Sequence, residues 1–176
     1  ACIAVDEENR RVFAVGGKKP DWATKTIQVF QFSDDTYTAG SYVSEFDGWT
    51  MDRGRYGSIC YYWKKDDIDQ YLVVISGVAH ADYEWEYGRP FNDVKLFKVP
   101  SSKTELDGWA TDPVVKAYAG GKKTNYIPNI GTLYLPSDRQ ILSARPFLHG
   151  NMLYLFGGHN HYQSKEWVLT LNLMGI

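Results

Sequence analysis

The stretch Val12-Phe13-Ala14-Val15-Gly16-Gly17 decides the fold, because the same short apolar run ending at glycine returns twice in the chain. The second copy, Leu72-Val73-Val74-Ile75-Ser76-Gly77, begins 60 residues after the first (12 to 72), and the third is Leu153-Tyr154-Leu155-Phe156-Gly157-Gly158. A second motif keeps that offset, since Glu45-Phe46-Asp47-Gly48-Trp49 reads against Glu105-Leu106-Asp107-Gly108-Trp109. Two motifs that share one offset indicate a repeated structural unit.

The segments around these motifs predict an all-β chain. Apolar stretches are short, rich in β-branched and aromatic residues, and separated by Gly, Asp, Asn and Lys, and several alternate with a period of two. In each unit a first strand ends at a charged turn, a second ends at glycine, a third alternates, and a short fourth piece carries Asp-Gly-Trp. Four strands in about 50–60 residues are typical of a propeller blade. The predicted strands are 12–15, 26–32, 57–63, 71–75, 93–99, 152–156 and 167–173, with Thr132-Leu133-Tyr134-Leu135 as a further candidate.

This unit resembles the kelch repeat, whose hallmark is an apolar strand ending in two glycines followed by an aromatic residue that packs between blades. The resemblance implies a kelch-type β-propeller of four-stranded antiparallel blades, present here as an incomplete ring of about three. Ser76 departs from the Gly-Gly pattern, and the third unit lacks the later Trp. The predicted organisation is blade 1 at 1–52, truncated at its start, blade 2 at 53–112, an insertion or long connection at 113–142, and an incomplete blade 3 at 143–176. The residues that the resemblance makes structural are Gly16, Gly17, Gly77, Gly157, Gly158, Trp49 and Trp109.

Three blades do not close a ring, since propellers have about four to eight. An open arc leaves one face of each terminal blade uncovered. About 300–500 Å² of exposed apolar surface on such a face would forgo roughly 8–12 kcal/mol of burial. We therefore expect the remaining blades of the same polypeptide to cover these faces, with a second copy that completes a six-bladed ring as the alternative.

The two cysteines, Cys2 and Cys60, lie near the start of the first strand in neighbouring units. Blades converge near a propeller axis, so a Cys2–Cys60 disulfide is compatible with the resemblance but not required by it. Two buried free thiols are the alternative. Kelch-like repeats with a cysteine at this place resemble secreted animal proteins, which favours an extracellular location over a cytoplasmic one.

Composition excludes some partners. The formal net charge is −2 and charged residues make up 23% of the chain, which gives no electrostatic reason to expect nucleic acid or an anionic membrane. No apolar run approaches the roughly 18 residues of a membrane span, so no membrane insertion is expected. The first residues do not read as a signal peptide.

Catalytic signals are weak. His159 and His161 share a face in an extended segment, but two ligands are too few for a metal site. Gly120-Gly121-Lys122-Lys123 lacks the spacing of a phosphate-binding loop. Some kelch propellers are copper or sugar-processing enzymes. The Tyr and His ligand set of the copper type cannot be assembled from this sequence, and a copper or sugar-processing enzyme stays open as an alternative. The prediction is a chain without a cofactor or catalytic residues.

Binding signals are stronger. The resemblance places the loop between strands two and three of a blade on the same face as the connection to the next blade. That face would collect aromatic and arginine side chains, which dominate binding hot spots. It predicts a non-catalytic protein-interaction scaffold, with a carbohydrate-binding or carbohydrate-processing propeller as the alternative and a glycan as its ligand. The predicted binding residues are Trp22, Arg53, Arg55, Tyr56, His80, Asp82, Tyr83, Trp85, Tyr87, Arg89, His159, His161 and Tyr162.

Overall fold

The computed structural model describes residues 1–20, 23–42, 49–51, 54–79, 91, 93–99, 131–134, 142–159 and 168–173. In these residues the regular structure consists of β-strands, which confirms the predicted all-β class. The strands are β1 (Cys2–Asp6), β2 (Arg11–Lys18), β3 (Ala23–Phe32), β4 (Gly40–Tyr42), β5 (Trp49–Thr50), β6 (Ile59–Lys64), β7 (Gln70–Ile75), β8 (Asp93–Lys98), β9 (Gly131–Tyr134), β10 (Arg145–His149), β11 (Met152–Phe156) and β12 (Val168–Asn172).

The strands form three antiparallel sheets, none of which closes on itself. Sheet 1 has the order β1-β2-β3-β4, and β5 also pairs with β3. Sheet 2 has the order β6-β7-β8-β9, and sheet 3 has the order β10-β11-β12. Each sheet therefore follows the chain from one strand to its neighbour, as in a meander.

The strand β9 lies within the segment 113–142 and overlaps the candidate strand predicted there. Residues 113–142 were predicted to be an insertion or connection between units, with residues 132–135 as a candidate strand. In the structure Gly131–Tyr134 pairs with β8 over Asp93–Leu96 and supplies the fourth strand of sheet 2. The sequence repeat hid this role because the matching position in sheet 1 is held by β5, at the Asp-Gly-Trp motif.

The hydrogen-bond registers of the three sheets correspond residue by residue. In sheet 1, Val15 lies opposite Cys2 and Ile27. In sheet 2, Ile75 lies opposite Ile59 and Val94, and in sheet 3, Phe156 lies opposite Arg145 and Val168. Val15, Ile75 and Phe156 each stand two residues before the last glycine of the repeated motif, which is Gly17, Gly77 or Gly158. The repeat read from the sequence is therefore a repeat of backbone pairing.

Sheet 2 packs between the other two sheets, and alternation along its strands divides its side chains between two cores. The first core joins sheets 1 and 2, and the second joins sheets 2 and 3. Cys60 and Val74 face the first core, whereas Ile59, Val73 and Ile75 face the second. A strand covered on both faces reads as a continuous apolar run, which is the pattern of residues 72–75.

Among the described residues, no other sheet packs on the outer faces of sheets 1 and 3. Six of the eight large hydrophobic residues that are exposed among the described residues lie on these two faces. They are Ile3, Val5 and Tyr42 on sheet 1, and Phe147, Phe156 and Val168 on sheet 3. Exposed apolar residues concentrated in this way mark a surface suited to association.

Candidate partner-binding site at the glycine ends

The strands β2, β7 and β11 end in the same backbone conformation. Gly16 and Gly17 have φ of 60° and 137°, and Gly157 and Gly158 have φ of 67° and 89°. Ser76 and Gly77 have the same conformation, with φ of 56° and 103°, although serine rarely adopts positive φ. The Ser76 hydroxyl donates a hydrogen bond to the Phe91 carbonyl at 2.7 Å, which helps hold this conformation.

These strand ends, called here the glycine ends, join neighbouring sheets. The Gly17 amide donates to the Arg55 carbonyl at 2.8 Å, and the Ser143 amide donates to the Gly57 carbonyl at 2.9 Å. A Cβ on Gly16 would lie 2.2 Å from the Arg55 oxygen. Glycine is therefore required at residue 16 by a close approach of backbones as well as by its φ.

Three connections between strands leave the sheets at the glycine ends. They span residues 19–22, 76–92 and 157–167, between β2 and β3, β7 and β8, and β11 and β12 respectively. The other end carries the turns at residues 7–10, 65–69 and 150–151, and also the connections 33–39 and 99–130 that follow β3 and β8. The three second-to-third strand connections therefore begin at the same end of their sheets.

Tyr56 and His159 both lie at this end, in matching bridges but on opposite sides of them, since Tyr56 corresponds to Leu142 and His159 to Val78. Tyr56 forms an isolated antiparallel bridge with Val78, and His159 forms one with Leu142. His159 is exposed and Tyr56 is half-buried. The Lys18 ammonium lies 5.5 Å from the centre of the Tyr56 ring, so a cation and an aromatic ring are presented together.

Arg55 differs from its predicted role. Its side chain is fully buried, with the guanidinium donating to both carboxylate oxygens of Asp93 at 2.8 and 3.0 Å and to the Ser76 carbonyl at 2.8 Å. It also lies 4.8 Å from the centre of the Phe91 ring. Arg55 therefore fixes the first residues after the glycine end of β7, and no accessible guanidinium is left for a partner.

Many predicted residues lie outside the described residues. Trp49 belongs to β5 by its backbone, with its side chain outside the description. The other residues are Trp22, Arg53, His80, Asp82, Tyr83, Trp85, Tyr87, Arg89, Trp109, His161 and Tyr162. Of the predicted set, the structure therefore brings Tyr56 and His159 to one end and buries Arg55 beneath it.

A second buried ion pair, which sequence reasoning missed, lies at the opposite end. Arg11 and Asp6 are both buried, and Arg11 Nε donates to Asp6 Oδ2 at 2.8 Å. Arg11 also reaches Gln70 of sheet 2, whose side-chain oxygen accepts the Tyr62 hydroxyl at 2.5 Å. Burial, followed by the Asp6 charge, raises the pKa of Tyr62 above its ordinary value of 10.0, so the phenol stays neutral. The sequence indicated only a charged turn in this segment, with no partner for Asp6 or Arg11.

A disulfide joins Cys2 of β1 to Cys60 of β6, with Cα atoms 5.9 Å apart. The sequence placed the two cysteines at corresponding positions of their units, which is wrong by one residue. By register Cys2 corresponds to Ile59, so Cys2 faces sheet 2 and Cys60 faces sheet 1. The one-residue shift is what lets the two sulfurs meet between the sheets.

A cavity of about 520 Å³ opens beside this disulfide. Ile3, Val5 and Pro146 supply apolar lining, and Tyr61 and Lys64 supply polar lining together with Glu7 and Glu8. Burial and then the Glu7 charge raise the pKa of Tyr61, so its phenol is a neutral hydrogen-bond donor. The lining thus offers hydrogen bonds and apolar contact, and its phenol is not a base at neutral pH.

The described residues contain no group of three or more His, Cys, Asp or Glu positioned to hold a metal ion. In the same part of the chain, no helix is long and apolar enough to cross a membrane. Comparison with protein-family models and with curated protein sequences returned no match. The described residues define an all-β protein of three antiparallel sheets, with sheet 2 packed between the other two. The kelch resemblance rests on the residues of this chain alone.

Proposed function

We propose that this chain is a segment of a kelch-type β-propeller and acts as a non-catalytic protein-interaction scaffold. The observation that carries the proposal is that the connections β2–β3, β7–β8 and β11–β12, the last two of 17 and 11 residues (76–92 and 157–167), all leave their sheets at the glycine ends. Rigid sheets that present long loops on one side are a common design for binding sites. The matched registers of the three sheets support their interpretation as propeller blades.

The residue types at this end support a protein partner. Lys18 and Tyr56 form a cation–aromatic pair at the glycine end of sheet 1, and His159 is exposed at the glycine end of sheet 3. The loop at residues 76–92 adds Tyr83, Trp85, Tyr87 and Arg89 in sequence. Tyr, Trp and Arg are the residues that contribute most to binding energy at protein interfaces.

We propose that the chain acts in an oxidising compartment, because disulfides persist in such compartments. The Cys2–Cys60 bond supports an extracellular location, because thiols of cytosolic proteins are generally kept reduced.

A capture experiment with matched surface variants tests the proposed function. The immobilised chain is exposed to extracellular proteins, and the bound set is compared for wild type, for W85A/R89A and for a control, K65A/I68A. Lys65 and Ile68 are exposed in the turn at the opposite end. We expect the bound proteins to be lost with W85A/R89A and retained with the control.

Two results would contradict this function. Equal capture by all three proteins would remove the glycine-end loops as the binding site. Binding to a glycan array, lost in W85A/R89A, would instead assign the site to carbohydrate.

A further inference from the structure

The two uncovered faces are complementary halves of one type of sheet packing. The row Tyr62–Leu72–Phe97 crosses sheet 2 on the face that meets sheet 1. The equivalent row of sheet 3, Leu148–Leu153–Leu171, meets sheet 2 in the same way. The equivalent row of sheet 1 is Val5–Val12–Phe30, continued by Tyr42, and nothing within the described residues packs on it. In sheets 2 and 3 this face packs on the preceding sheet. In sheet 1 the same face is exposed.

Sheet 3 exposes the opposite half. The row Cys2–Val15–Ile27 of sheet 1 faces sheet 2, and the equivalent row Ile59–Ile75–Val94 of sheet 2 faces sheet 3. The third member of the series is Arg145–Phe156–Val168, on the uncovered face of sheet 3. Phe156 is 46% exposed and Val168 is 48% exposed. In sheets 1 and 2 the equivalent residues pack against the following sheet.

We propose that a second copy of this chain covers both faces, with sheet 3 of each copy packed on sheet 1 of the other. The packing step between sheets 1 and 2, and between sheets 2 and 3, is then repeated across the contact. Two copies have two such contacts, so six sheets close into a ring with two-fold symmetry. Six lies within the four to eight sheets that propellers contain.

If each face offers an apolar patch of about 300–500 Å², the size typical of an association site, ring closure buries four such faces, or about 1,200–2,000 Å². That total lies within the range of specific protein interfaces. Because the contact joins two different faces, closure with two copies also prevents open-ended growth. This inference depends on sheet packing and not on the glycine-end loops, so its test and the capture experiment can fail independently.

The native mass gives the first test, together with variants that introduce opposite charges on the two faces. At micromolar concentration we expect the chain of 20.1 kDa to sediment at twice that mass. V5K on sheet 1 and F147E on sheet 3 should each produce a monomer, with circular dichroism as the check on folding. An equimolar mixture should restore a dimer, because one contact then pairs Lys with Glu and the other is wild type. A wild-type monomer at about 100 µM, or a dimer that both variants leave intact, would overturn the proposal.

Cross-linking gives a second test that uses the internal disulfide as its template. By register Arg145 corresponds to Cys2, and Ile3 corresponds to Cys60, so Ile3 of one copy should face Arg145 of the other as Cys2 faces Cys60. The variant I3C/R145C should form a covalent dimer under mild oxidation, with peptide mass spectrometry identifying a 3–145 link between copies.

The control variant V5C/R145C carries a cysteine on the same face, about 6–7 Å further along β1. It should cross-link much less. Equal cross-linking by both variants, or none by I3C/R145C, would overturn the proposed contact. The wild type could instead stay monomeric, with the outer faces of sheets 1 and 3 protected from hydrogen exchange only in a longer chain that carries further sheets. That result would show that neighbouring parts of the same polypeptide cover these faces.

Discussion

At the scale of single residues, Gly16 is the most constrained position of the glycine ends. Its φ of 60° disfavours any side chain, and a Cβ would lie 2.2 Å from the Arg55 carbonyl oxygen. We expect G16A to lower the free energy of unfolding by about 3 kcal/mol or more, since strain in the backbone adds to a forced displacement between sheets 1 and 2. Urea unfolding followed by tryptophan fluorescence measures the change.

Gly150 offers a matched control for the same substitution. Its φ is 57°, yet nothing lies within 4 Å of the place where a Cβ would be built. G150A should therefore cost only the left-handed strain of about 1–2 kcal/mol. If G16A and G150A were equally destabilising, the close approach at Arg55 would contribute nothing.

At the scale of elements, apolar runs between turn residues were enough to predict most strands, because period-two alternation reports which side chains face a core. The predicted run at residues 71–75 became β7, and the run at 152–156 became β11. The element missed in role was β9, whose register with β8 is a long-range pairing that no local pattern encodes.

The buried ion pairs escaped prediction for a related reason. Arg55 and Asp93 are 38 residues apart and meet only after sheet 2 has formed. An arginine between Gly54 and Tyr56 looks the same in sequence whether it is exposed or fully buried. The sequence could therefore propose a candidate site at the strand ends, but it could not show that Arg55, one of its charged side chains, is buried.

The Cys2–Cys60 disulfide links β1 to β6 and should stabilise the contact between sheets 1 and 2. The two residues are separated by 58 positions, for which loop-closure entropy predicts about 4 kcal/mol of stabilisation. We expect the C2A/C60A variant to lose about 2–4 kcal/mol of unfolding free energy relative to the oxidised wild type. Reduction of the wild type with dithiothreitol should produce a similar loss and leave the double variant unchanged. Equal stability of the oxidised and reduced wild type would contradict a stabilising role.

At the scale of the whole molecule, cover on both faces distinguishes sheet 2 from its neighbours. The strands β2 and β7 are equivalent, since each lies second in its sheet between two paired strands. Leu72 and Val74 of β7 are buried against sheet 1, whereas Val12 and Ala14, the equivalent residues of β2, lie on the uncovered face. A difference in local stability between β2 and β7 therefore measures the stability that cover by sheet 1 adds to β7.

Amide hydrogen exchange should reveal this difference directly. At low protein concentration we expect the amides of residues 72–75 to exchange more slowly than those of 12–15, because opening β7 exposes two cores and opening β2 exposes one. Raising the concentration should slow exchange in residues 12–15 and narrow the gap, since a second copy would cover the outer face of sheet 1. Similar exchange in both strands at low concentration would show that cover by sheets 1 and 3 adds no local stability. A gap that does not change with concentration would leave the outer face of sheet 1 uncovered in solution and count against assembly of two copies.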